Sequence, residues 1–99
     1  MIEREEFFDR HAHSADAIQR AAYRLSDRLS IELVTADDVF GCRTTLLTDD
    51  REQADMTIHE FRAEVLDQVL RERIREETTG VRNVILALAF SKTGLTQQG

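Results

Sequence analysis

From Gln53 to Thr78 the chain contains neither glycine nor proline, and Ile58, Phe61, Val65, Leu66, Val69, Leu70 and Ile74 recur at the three- and four-residue spacing of one helical face. A helix over this span extends about 36–39 Å at 1.5 Å per residue. A small sheet cannot cover that length, so the helix either projects beyond the sheet or needs a partner over its far end. Thr78-Thr79-Gly80 reads as a break, because Gly80 is free to take the left-handed conformation that closes a helix. A short last helix then carries Val81, Val84, Ile85, Leu88 and Ala89, and residues 92–99 read as a frayed tail.

Upstream, Ile18, Ala21, Ala22, Leu25 and Leu29 predict a first helix from Ser14 to Leu29. Ser14 is its N-cap and Asp16 sits at the positive end of its dipole. After Ser30 the period changes to two. Ile31 and Leu33 face one way and Glu32 and Val34 the other, as in a strand with one buried face. Thr35-Ala36-Asp37-Asp38 supplies a turn and a second strand follows from Val39 to Leu47, giving an antiparallel hairpin. Gly41 within it marks a bulge or a close approach of backbone. The third-strand candidate is the segment from Ile2 to Phe8, whose alternation is poor because Glu3 to Glu6 are all charged.

These elements predict an α+β fold. A small antiparallel sheet of two or three strands, in β-α-β-β-α-α order, is packed by the first helix, the long helix and the short C-terminal helix. In the three-stranded case the strand after the hairpin turn is central and the helices share one face. With 41% apolar residues and no low-complexity linker, residues 1–99 form one domain, with 1–13 as an N-terminal strand or arm.

Composition narrows the partners. A formal charge of −6, with Lys92 the one lysine, opposes nucleic acid and anionic membranes, which need clustered cations. No stretch reaches the roughly 20 apolar residues of a bilayer span, and the acidic start is unlike a secretory signal. A single cysteine, Cys42, allows no internal disulfide and favours a reducing, cytoplasmic setting.

No residue pattern demands catalysis, a metal or a cofactor. His11, His13 and His59 lack the spacing of a ligand set and read as exposed or capping side chains. Glu60, Glu64 and Asp67 share a face of the long helix, where they could raise one another's pKa for acid–base work. A solvated acidic face looks the same, and Arg71 follows Asp67 at ion-pair spacing. Cys42 reads as a small buried hydrophobe, Tyr23 as packed on the sheet with its hydroxyl at the boundary, and Gly80-Val81-Arg82-Asn83 lacks the glycines and lysine of a phosphate loop.

Three stretches carry a family resemblance: Ala21-Ala22-Tyr23-Arg24-Leu25-Ser26-Asp27-Arg28; Leu66-Asp67-Gln68-Val69-Leu70-Arg71-Glu72; and Glu77-Thr78 through Arg82-Asn83-Val84-Ile85 to Ala89-Phe90-Ser91. From about residue 14 to residue 95 the chain resembles the His-Xaa-Ser system protein D family. The resemblance implies a small accessory protein encoded beside two radical SAM enzymes and a substrate protein bearing His-Xaa-Ser repeats. Asp67, Leu70, Arg71, Glu72, Thr78, Arg82 and Asn83 stand at its motif positions, where they serve either the architecture or a partner. The charged segment from Glu3 to Arg10 departs from the cleaner extended segment of similar proteins.

The leading expectation is a non-catalytic binding subunit that recognises a partner or substrate peptide. Ile31 and Leu33 offer an open strand edge, and Asp67, Arg71, Arg82 and Asn83 are further partner-binding candidates. The alternative is a structural homo-oligomer without peptide recognition, and a third reading is an enzyme with an unrecognised site. A homodimer is expected because apolar turns near Val69, Leu70 and Ile74 outrun the sheet.

Overall fold

The computed structural model describes the backbone of residues 1–93 and the side chains of residues 1–80. The elements are β1 (Ile2–Asp9), α1 (Ala15–Arg24), β2 (Leu29–Thr35), β3 (Val39–Leu46) and α2 (Arg51–Thr93). The strands form one antiparallel sheet in the order β1-β3-β2, and both helices cover the same face of it. The architecture is α+β, as the sequence predicts, with the third strand present.

β1 alternates despite its charges. Ile2, Arg4, Glu6 and Phe8 turn toward the helices while Glu3, Glu5, Phe7 and Asp9 face solvent. The two inward charges are met from α2: Arg4 pairs with Asp55 at 2.9 Å, and Glu6 accepts from Arg62 at 2.6 and 3.1 Å. Paired in this way, they avoid the cost of an isolated charge at the edge of a core.

The hairpin turns at Asp37-Asp38, where the Ala36 amide donates to the Val39 carbonyl at 2.9 Å. Arg10 fixes this tip by donating to the carbonyls of Ala36 and Asp37 and lying 5.4 Å over the Phe40 ring. Pairing runs unbroken through Gly41, which stands between Phe7 and Val34, so the expected bulge does not occur. A bulge needs an unpaired residue, and both neighbouring strands match β3 residue for residue.

In α1, Ser14 accepts from the Ala17 amide at 3.0 Å and donates to the Glu72 carboxylate at 2.8 and 2.9 Å, so one hydroxyl caps α1 and ties it to α2. Ala17, Ile18, Ala21 and Ala22 form the buried face. The helix stops at Arg24, earlier than its apolar spacing predicts. Leu25 caps it, and Leu29 begins β2 with its amide bonded to the Leu25 carbonyl at 3.0 Å. Leu29 is buried, but as a strand residue. Tyr23 is 81% exposed and does not pack on the sheet; the small residues of the opposite face bring α1 against the core instead.

α2 buries Ala54, Ile58, Phe61, Val65 and Val69, with Phe61 edge-on to Phe8 at 5.9 Å between ring centres. Leu66, Leu70 and Ile74 lie on the other side of the helix and are 56%, 47% and 62% exposed, so the stripe read as one face is two. The same geometry removes Val69 from the uncovered patch, because it points into the core. The helix also does not break at Gly80 but continues to Thr93. One helical glycine costs only about 1 kcal/mol relative to alanine, and no proline follows to stop the helix. Among the described residues there is therefore no separate C-terminal helix, and most of the expected tail lies outside them. At 1.5 Å per residue the 43 residues of α2 span about 65 Å, which accounts for the molecule's longest dimension of 66 Å.

Candidate partner-binding surfaces

β2 is an outer strand, and its register decides which backbone groups remain available. In an antiparallel pair, residues alternate between exchanging hydrogen bonds and turning their amides and carbonyls away. The bonds from Ala36 to Val39 and from Leu47 to Arg28 place the bonded pairs at even-numbered residues of β2. Ile31 and Leu33 therefore turn their backbone groups to the open side, while their half-buried side chains pack on the core. By the same alternation the open edge of β1 is formed by Glu3, Glu5 and Phe7. Charge blunts that edge; the β2 edge carries Glu32 alone between Ser30 and Val34.

The Leu66 to Glu72 stretch on α2 divides among several roles. Gln68 and Val69 are buried, and Glu72 receives the Ser14 hydroxyl. Arg71 donates to Asp67 at 2.7 Å, and that carboxylate holds the guanidinium pKa above its ordinary value. Asp67 and Arg71 thus form a local pair on α2, with no hydrogen bond or ion pair to β2 among the described residues. Arg82 and Asn83 lie on the α2 backbone, and their side chains fall outside the described residues.

The carboxylates considered for acid–base work are each matched to an arginine. Glu60 accepts from Arg28 at 2.6 Å, Glu64 pairs with Arg24 at 2.5 Å, and Asp67 pairs with Arg71. Arg24 and Arg28 in this way stitch the end of α1 and the following turn to α2. His13 hydrogen-bonds to the Asp9 carbonyl at 2.9 Å and meets the Phe8 ring edge-on, His11 lies 3.9 Å from Asp38, and His59 is exposed on α2. Among the described residues no three His, Cys, Asp or Glu side chains cluster as metal ligands. Cys42 is buried on the inner face of β3, and burial, aided by the Glu6 carboxylate, pushes its thiol from 9.0 up to about 11.

The family model described as "HxsD: His-Xaa-Ser system protein HxsD" matches residues 8–96 of the 99. The chain belongs to the HxsD family. Family membership suggests involvement in the His-Xaa-Ser system, and the match begins within β1, at the first residue of that strand to be buried. No curated protein and no solved structure matches the chain. No described helix is long and apolar enough to cross a membrane.

The sequence reading missed the outer face of the sheet. There Phe7, Gly41 and Val34 stand in one cross-strand row, and with Ala36 and Val39 they border a shallow apolar hollow of about 180 Å³. The available signal was Phe7-Phe8: successive strand residues face opposite sides, so two adjacent phenylalanines cannot both enter a one-sided core.

Proposed function

We propose that this HxsD-family protein is a non-catalytic accessory subunit of the His-Xaa-Ser system that receives an extended segment of a partner protein along the β2 edge. The observation that carries the reading is the outward backbone of Ile31 and Leu33 on an uncovered strand with little charge. Strand addition uses such groups: the main chain supplies affinity and alternate side chains supply selectivity. Neither a metal nor a cofactor is required for this role. The candidate partners are the radical SAM enzymes and the His-Xaa-Ser repeat protein that the family resemblance implies, met in the cytoplasm.

Leu33→Pro tests the edge. It removes an amide that faces away from β3, so the existing ladder keeps its bonds while partner capture weakens. Co-purification of each candidate partner with the wild type and the variant is the measurement. Failure of the wild type to retain any of them would end the accessory-subunit reading, and equal retention by both proteins would remove the edge from it.

A second reading is a homodimer in which the exposed Leu66, Leu70 and Ile74 turns of α2 pack together. Light scattering at high protein concentration tests it. Replacing Leu70 and Ile74 by serine should then yield monomer, whereas a wild type that is already monomeric rejects it.

A further inference from the structure

The outer face of the sheet holds a glycine that the fold does not need. Gly41 lies mid-strand in the central position, where glycine sacrifices chain entropy and side-chain packing. Pairing is unbroken on both sides, so no bulge requires it. Its φ lies outside the left-handed region. A Cβ there would meet the Phe7 ring at 3.7 Å and the Val34 carbonyl oxygen at 3.8 Å, both ordinary contacts. With those causes removed, the remaining use of a strand glycine is to leave room for something approaching from outside.

The surroundings describe the visitor. Phe7, 65% exposed, and Val34, 54% exposed, rise on either side of Gly41, and Val39 closes one end. The hollow of about 180 Å³ between them is bordered mainly by apolar surface and suits one aliphatic or aromatic side chain. Of its charged border, Glu5 and Arg43 are opposite in sign, and the excess of acid lies on the wider face. Among the strand residues of this face, Glu3, Glu5, Asp9 and Glu32 stand against Arg43, whose nearest carboxylate is Glu32 at 3.8 Å. A segment crossing this face gains from cations flanking its apolar anchor, and an acidic segment is repelled.

We infer that the outer sheet face is a docking surface for a cationic segment of a partner protein, which sets one apolar side chain over Gly41 between Phe7 and Val34. This goes beyond strand addition at β2 and does not depend on it, since the face uses side chains while the edge uses backbone.

The test is selection of random 12-residue peptides displayed on phage against the full chain, followed by titration of the enriched peptides in solution. The expected peptides carry an aliphatic or aromatic residue flanked by Lys or Arg, and they bind more weakly as salt rises. Gly41→Val should fill the hollow and lower their affinity at least tenfold, while the melting temperature stays the same or rises, because valine suits an outward strand position. Glu3→Gln combined with Glu32→Gln should weaken binding without changing any residue that lines the hollow. Leu33→Pro should leave it unchanged, which separates failure of this inference from failure of the edge reading. No enrichment, enrichment of neutral or acidic peptides, or equal binding by Gly41→Val would overturn the inference. So would a change of oligomeric state in Gly41→Val, which would assign the face to a second copy of this chain.

Discussion

Among the described residues, the stretches of α2 before and after Glu72 belong to one unbroken helix and differ greatly in environment. From Arg51 to Glu72 one side of the helix meets the sheet and α1, burying Phe61 and Val65 completely. From Arg73 to Gly80 every residue is exposed, Ile74 among them. The boundary falls at Glu72, where the carboxylate accepts from the Ser14 hydroxyl and α1 ends its cover. Apolar spacing therefore shows that a helix has a face to bury; whether it is buried depends on how far the rest of the chain reaches.

The sharpest way to break this contrast is a pair of truncations. Phe61→Ala opens a cavity at a fully buried site and should cost about 3–5 kcal/mol, a large share of a small domain's stability. Ile74→Ala, on the exposed side, should change monomer stability by less than about 0.5 kcal/mol. Parallel urea titrations compare them, and equal losses would mean that the helix just past Glu72 is covered as well as the stretch before it.

At the boundary, Ser14→Ala removes the α1 cap and the α2 tie together and should cost about 1–2 kcal/mol. Glu72→Ala should cost less, because Ser14 still caps α1. Thermal melts that rank the two variants in the opposite order would place the constraint on the α2 side. Smaller still is Gly80→Ala. In a continuous exposed helix, alanine gains about 0.5–1 kcal/mol, and no neighbour lies within 4 Å of the added Cβ. A break with Gly80 left-handed would reverse the sign, so circular dichroism melts of this variant decide between the two backbone forms.

In the covered region a further effect appears at high pH. The folded protein holds the Cys42 proton more tightly than the unfolded chain does, since the thiol is raised from 9.0 to about 11. The stability from this difference is complete below pH 9.0 and is lost as pH rises through about 11. Melting temperatures across that window should fall in the wild type by more than in Cys42→Val. Matching slopes would show that the thiol is not desolvated.

Much of this architecture was legible because it depends on local rules. The Ser14 cap, the alternation of Ile31 to Val34, the turn at Asp37-Asp38 and the central place of β3 all follow from short-range chemistry. Ile31 and Leu33 were readable as strand residues, but the outward direction of their amides required the pairing register with β3. β1 was obscured because Arg4 and Glu6 occupy inward positions, and their partners Asp55 and Arg62 lie about 50 residues away.

By itself, the sequence determined the α+β class, the hairpin, the long helix and the resemblance confirmed by the HxsD family match. Tertiary structure alone decided the end of α1 at Arg24, the division of the α2 stripe into a buried and an exposed side, and the row of Phe7, Gly41 and Val34 on the outer sheet face. The physical reason is the range of the interactions. Caps, turns and periodicity act over a few residues and leave a local signature, whereas burial and cross-strand register are set by segments distant in the chain that meet only when it folds.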